Sequence, residues 1–168
     1  MHTLEFRESG LLVRDRALIS RLYSQGYGEL LGNELLLLPV EVMYLAERGV
    51  LDKELFLKVL KTYVTSDPDL WVKYLVYRDL RSRGYVVKGG SSRVDFRLYE
   101  RGGWKRGQPA KYYVKVLIEG RRIDLDELVQ CVNEALRVRK ELILAIVDSL
   151  GTVSYYRVEV IPPESKLI

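Results

Sequence analysis

Val94-Asp95-Phe96-Arg97-Leu98-Tyr99, Pro109-Ala110-Lys111-Tyr112-Tyr113-Val114-Lys115-Val116 and Arg137-Val138-Arg139-Lys140 are the landmarks of the stretch that decides the fold. Asp95 to Glu100 alternates. Tyr112 to Ile118 does too, with Tyr112, Val114, Val116 and Ile118 on one face and Tyr113, Lys115 and Leu117 on the other; a period of two marks strands. Asp124 to Arg139 then places Leu128, Val129, Val132 and Leu136 at helical spacing. Asp124 as cap, with Glu127 three places on, makes a capping box with Asp in place of Ser or Thr. Cys131 falls among those apolar positions and reads as a buried core thiol.

Outward from there, Glu141 to Asp148 is a continuous apolar strand, Ser149-Leu150-Gly151-Thr152 a turn, and Val153 to Val160 another strand ended by Pro162-Pro163. Upstream, Asp69 to Arg83 predicts a helix with Asp67 as cap, Pro68 in its first turn and Gly84 closing it. Its apolar stripe is Leu70, Tyr74, Tyr77 and Leu80; Lys73, Arg78, Asp79, Arg81 and Arg83 form a solvated face. Tyr85-Val86-Val87 is a further strand before Gly89-Gly90-Ser91-Ser92. Helix, three or four strands, helix, two strands describes a mixed sheet flanked by helices.

The first part of the chain reads as a smaller unit. Residues 4–8 and 11–14 are short strands, Asp15 to Tyr23 a helix, and Leu35-Leu36-Leu37-Leu38 a buried strand. Pro39 opens a helix from Val40 to Arg48, and Lys53 to Tyr63 forms another. Thr65-Ser66-Asp67-Pro68-Asp69 is turn chemistry and sets the boundary. The expectation is an α+β (mixed α/β) chain, with an N-terminal α/β domain over 1–66 and a restriction-endonuclease-like domain over 67–168.

The chain has 168 residues, 48% hydrophobic and 30% charged, and carries a net charge of +4. No apolar run reaches the ~20 residues that span a bilayer, and the start has no signal-peptide pattern, so a cytoplasmic protein with no membrane role is expected. Residues 1–66 hold 8 basic and 9 acidic side chains; residues 67–168 hold 19 and 14. That excess permits a polyanionic partner without requiring one. One Cys and one His exclude a multi-cysteine metal site. The loop Arg101-Gly102-Gly103-Trp104-Lys105-Arg106-Gly107-Gln108 is basic and glycine-rich. Its Trp either stacks on nucleic-acid bases or folds back onto the domain.

The segments Tyr77 to Lys88, Asp95 to Tyr99, Val138 to Leu142, Ala145 to Asp148 and Tyr155-Tyr156 resemble the archaeal tRNA-intron (splicing) endonucleases. Gly26-Tyr27-Gly28 and Leu38 to Leu45 resemble that family's amino-terminal domain. The resemblance implies metal-independent cleavage of bulge-helix-bulge junctions in precursor tRNA, with no cofactor, leaving a cyclic phosphate and a free 5′ hydroxyl. Such transesterification needs a base, an acid and a cation. The family uses a Tyr, a His and a Lys; Tyr99 and Lys140 match the first and last. The His begins a His-Ser-x-Tyr run, and here that run is Pro109-Ala110-Lys111-Tyr112. Proline transfers no proton. His2 is the only histidine, at the far end of the chain. Two arginines that grip a bulged base in the family correspond to Asn133 and Tyr155.

The resemblance therefore implies a noncatalytic, structural subunit that assembles with a catalytic endonuclease subunit, as a heterotetramer. Its RNA-facing candidates are Arg97, Arg101, Trp104, Lys105, Arg106, Arg137 and Arg139. Its interface candidates are Tyr156, Val158 and Val160 on the last strand, which is either an edge or an interior strand, and the loop Asp148, Ser149, Leu150, Gly151. Three alternatives remain. The first is an endonuclease active through another acid; the second is an RNA-binding module. The third is a metal-dependent nuclease using Asp95 and Lys115, whose acidic position is Tyr113.

Overall fold

The computed structural model describes residues 4–164 and 166. In chain order the elements are β1 (Leu4–Arg7), β2 (Gly10–Val13), α1 (Arg16–Ser24), β3 (Glu29–Leu31), β4 (Glu34–Leu37), α2 (Pro39–Glu47) and α3 (Glu54–Tyr63). Then come α4 (Leu70–Ser82), β5 (Val87–Gly89), β6 (Phe96–Leu98), β7 (Tyr112–Ile118), α5 (Leu125–Arg137), β8 (Glu141–Val147) and β9 (Val153–Val158). The fold class is α+β, as expected, with two sheets ordered β1-β2-β4-β3 and β5-β6-β7-β8-β9. In the second sheet only the β7/β8 pair is parallel, because α5 crosses over between them. No helix among the described residues is long and apolar enough to cross a membrane.

Helix α4 is the centre of the core. Leu70, Tyr74, Tyr77 and Leu80 are all buried on its apolar stripe. They pack between Val42, Met43 and Leu45 of α2 and Val87, Phe96, Val114 and Ala145 of the larger sheet, in one continuous apolar cluster. The other face of that sheet carries α5, which buries Cys131, Val132 and Ala135 against Leu142.

Several expectations need correction. Asp67 does not cap α4; its carboxylate takes the Lys73 ammonium at 3.0 Å, and Asp69 stands at the N-cap position without a side-chain bond to the helix, its carboxylate taken by Arg121. Asp124 caps α5 as expected, accepting from the Asp126 amide, but Glu127 pairs with Lys115 at 3.1 Å. Strand β3 was not anticipated, since its three residues are all exposed and show no alternation. Strand β5 begins at Val87 rather than Tyr85, and β9 stops at Val158, leaving Val160 exposed beyond it.

The solvated face expected for α4 does not include Arg81, which ties the helix to the turn after α1. Its guanidinium lies 3.9 Å from the Tyr27 ring centroid and donates to the carbonyls of Gln25 and Gly26. Beside it, Glu41 on α2 is 1% exposed and accepts from the amides of Gly28 at 2.7 Å and Leu38 at 2.9 Å. Lys88 on β5, 2% exposed, donates to the Gly28 carbonyl at 2.5 Å. Burial pushes the Glu41 carboxyl up and the Lys88 ammonium down, each opposed by the charge of the other. Gly28 must be glycine: its φ is +75° and a Cβ would meet Leu35 at 2.7 Å.

Candidate functional site

The register of the larger sheet brings the family positions to one end of it. Leu98 pairs with Tyr112, and Tyr112 with Glu141. The ladder continues one residue further, with the Lys111 amide donating to Leu98 and the Glu141 amide donating to Lys111. Tyr99 follows β6, Pro109 and Ala110 precede β7, and Lys140 precedes β8, so three neighbouring strands deliver them side by side.

Lys140 is placed by the way α5 stops. The Arg139 amide donates to Leu136 and the Lys140 amide to Ala135, a Schellman closure with Arg139 at φ +58°. A non-glycine residue there costs about 1 kcal/mol. The Lys140 ammonium donates to the Ala110 carbonyl at 2.5 Å and lies 6.0 Å from the Tyr113 ring centroid. Burial, then the nearby Arg97 charge, hold it below its ordinary value.

Tyr99 is 8% exposed, and its ring stands edge-on to Trp104 at 5.5 Å. Burial pushes its phenol up, which disfavours the phenolate a base would need. Pro109 lines the same open cavity as Tyr99 and Trp104. His2 lies outside the described residues. Tyr99 and Lys140 thus stand at the same end of the sheet, on either side of a strand whose approach offers the Ala110 carbonyl and the Pro109 ring.

The basic loop folds back. Trp104 packs edge-on to Tyr23 at 5.4 Å, and the Lys88 ammonium lies 4.3 Å from its ring centroid. Arg101 donates to the Arg83 carbonyl and stacks over Tyr85 at 4.9 Å, and Arg106 bonds Gln108. Lys105, Arg137 and Arg139 are exposed. Arg97 donates to the Gly89 carbonyl and to Glu29, both at 2.7 Å.

Asn133 and Tyr155 fall on opposite faces of the sheet. Asn133 lines a groove with Tyr113, Arg93 and Arg137, whereas Tyr155 shares an aromatic hollow with Tyr85, Tyr112 and Ile143. The Tyr155 hydroxyl donates to Asp79 at 2.6 Å, which raises its pKa further above the value set by burial.

Strand β9 is the edge of its sheet, pairing with β8 alone among the described residues. Tyr156 on it is 55% exposed. In the 148–152 turn, Asp148 accepts the amides of Leu150 and Thr152, both at 2.9 Å. The turn's one carboxylate is therefore occupied, and Leu150 forms the tip at 89% exposure, between Ser149 and Gly151.

A metal-nuclease arrangement is not built. Asp95 accepts the Val116 amide at 2.7 Å and faces Lys73, and Lys115 donates to the Arg93 carbonyl and pairs with Glu127. Among the described residues no group of three or more His, Cys, Asp and Glu is placed to hold an ion.

Sequence reasoning missed Glu29, Glu41, Arg81 and Lys88 as residues that shape this site. Lys88 follows Val86-Val87 where a strand period could have flagged it; the carboxylates that meet these cations are far away in sequence.

The comparisons agree with this geometry. The pattern of the tRNA intron endonuclease catalytic C-terminal domain matches residues 70–155, and that of its N-terminal domain matches residues 3–58. The tRNA-splicing endonuclease of Pyrococcus horikoshii is 40% identical over 93% of this chain and 95% of its own length. That of Pyrococcus abyssi is 39% identical over the same shares, 93% and 95%. That of Methanococcus vannielii is 42% identical over 87% of this chain and 86% of its own. With both domains matched in order and relatives aligned over most of their length, the chain belongs to the tRNA intron endonuclease family.

Proposed function

We propose that this chain is the noncatalytic, structural subunit of a tRNA-splicing endonuclease. It assembles with a catalytic subunit into a heterotetramer that cuts bulge-helix-bulge introns in precursor tRNA. The observation that carries this reading is Pro109 at the acid position between Tyr99 and Lys140, with the Lys140 ammonium bonded to Ala110. Attack of a 2′ oxygen on phosphorus expels a 5′ oxygen that must take up a proton. Neither Pro109 nor Ala110 can give one. Asn133 and Tyr155 remove the guanidinium pair that would hold a bulged base.

Assembly is supported by the open β9 edge, whose unpaired backbone groups fit strand addition by a partner. On α5, Leu125, Val129 and Leu136 form an exposed apolar stripe. The 148–152 turn presents Leu150 rather than a free carboxylate, so its docking is by burial of an apolar tip. Arg97, Arg101, Lys105, Arg106, Arg137 and Arg139 supply charge toward the RNA, and Trp104 shapes the surface between them.

The test is cleavage of a bulge-helix-bulge RNA without added metal, by this chain alone and mixed with a family member that carries the Tyr, His and Lys. Activity only in the mixture, and surviving Lys140→Ala in this chain, is the expected result. Efficient cleavage by the purified chain alone overturns the reading.

A further inference from the structure

Lys88 and Arg97 stand directly opposite each other in the β5/β6 register and on the same face of the sheet. Two cations so placed repel and destabilise the pair. Lys140 adds a third charge, close enough to Arg97 for the guanidinium to disfavour its protonation. Two carboxylates offset this concentration. Glu41 is buried and serves Lys88; Glu29 is the only one at the surface, with Oε1 2.7 Å from Arg97 Nη2. The Arg97 Nε is fixed by the Gly89 carbonyl at 2.7 Å, so the guanidinium is oriented before any ligand arrives.

Glu29 sits at the surface, on an outer strand. Strand β3 is an edge strand of three exposed residues, between Gly28 at φ +75° and Gly32 at φ +60°. The side chains of Arg97 and Glu29 are 34% and 51% exposed, so an anion from solution can reach the guanidinium without unfolding anything. An exposed pair of this kind is worth at most ~1 kcal/mol. A nucleic-acid phosphate competes well for the same guanidinium, through charge-assisted bonds and counterion release.

From this arrangement we infer that Glu29 is an intramolecular stand-in for an RNA phosphate: it latches Arg97 in the free chain, and RNA displaces it. Arg97 then holds that phosphate beside Tyr99 and Lys140, while the Glu29 side chain turns out to solvent. The inference rests on the RNA-binding reading above and adds the residue that gates it.

The experiment measures binding of a bulge-helix-bulge RNA, made uncleavable by a 2′-deoxy sugar at each cut site, across a salt series. The chains compared are wild type, Glu29→Gln, Glu29→Gln with Arg97→Gln, and Glu34→Gln, whose carboxylate pairs with Arg14 instead. Glu29→Gln is expected to bind up to about fivefold more tightly, the worth of the exposed pair that RNA no longer has to break, with an unchanged log–log salt slope, because Arg97 meets the phosphate in both complexes. The gain disappears in the double variant, Glu34→Gln behaves as wild type, and melting temperatures show that all four are folded. Wild-type binding with no gain in Glu29→Gln, or a gain that survives loss of Arg97, overturns the latch alone. If wild type and Glu29→Gln both fail to bind and the mixture with a catalytic subunit is inactive, the latch and the proposed function fall together.

Discussion

The two edges of the five-stranded sheet are finished in opposite ways. At β5 the chain closes its own edge: Val87 and Lys88 are buried, and Lys88, Gly28 and Glu41 tie β5 to the smaller sheet. At β9 nothing from the described residues adds a strand, and Tyr156 stands half in solvent. At the closed edge the buried charges are partnered, and no buried side-chain nitrogen or oxygen among the described residues lacks a hydrogen bond altogether. The open edge exposes Ser154, Tyr156 and Arg157 and, among the described residues, has one side of its ladder unpaired. One edge therefore serves the stability of the single chain, and the other is the edge that the proposed assembly would complete.

The largest effect should come at the closed edge. Glu41→Ala strands the Lys88 ammonium and two amides in the interior, and a loss of about 3–5 kcal/mol in urea unfolding is expected. A loss below ~1 kcal/mol would mean that apolar packing, not this polar knot, holds the edge.

Between the edges, Pro109→His returns a proton donor to the sheet end. One acid supplies 10²–10⁴-fold, and about 10²-fold over wild-type background is expected in metal-free cleavage, because Lys140 remains bonded to Ala110 and Asn133 carries no guanidinium. An unchanged rate would show that Tyr99 and Lys140 are no longer aimed at a scissile phosphate.

On β9 the inner and outer faces should differ. Tyr155→Phe removes a bond to the Asp79 carboxylate and should cost about 1–2 kcal/mol of chain stability. Tyr156→Lys on the outer face should shift stability by no more than about 0.5 kcal/mol. It should nonetheless abolish association with the proposed catalytic partner in sedimentation, by placing a charge where a strand would dock. Equal stability costs at the two positions would mean that Tyr156 belongs to the fold of the single chain.

Much of this architecture was legible in local pattern. Tyr112 to Ile118 is a strand with the bounds its alternation implies, and the stripe Leu70, Tyr74, Tyr77, Leu80 is buried as its spacing requires. Both are signals contained within one element. Tyr99, Pro109 and Lys140 were found by resemblance, and the sheet register explains why residues scattered over some forty positions meet.

What stayed hidden depends on partners distant in sequence. Glu41 and Lys88 look like surface charges until α2 and β5 are brought together, and Arg81 looks solvated until Tyr27 lies beneath it. Strand β3 has no buried face of its own, so nothing in Glu29-Leu30-Leu31 announces a strand. Trp104 illustrates a choice that local sequence could not make; Tyr23, Tyr99 and Lys88 make it.

Lys140 owes its location to the backbone bonds that terminate α5, not to any bond of its ammonium. A side chain mounted on a structural joint can change its chemistry while the mount stays where it is. Loss of catalysis in such a protein therefore need not leave a trace in the fold. Outwardly intact subunits can drift between worker and scaffold one residue at a time, and only the side chains at the sheet end record which they have become.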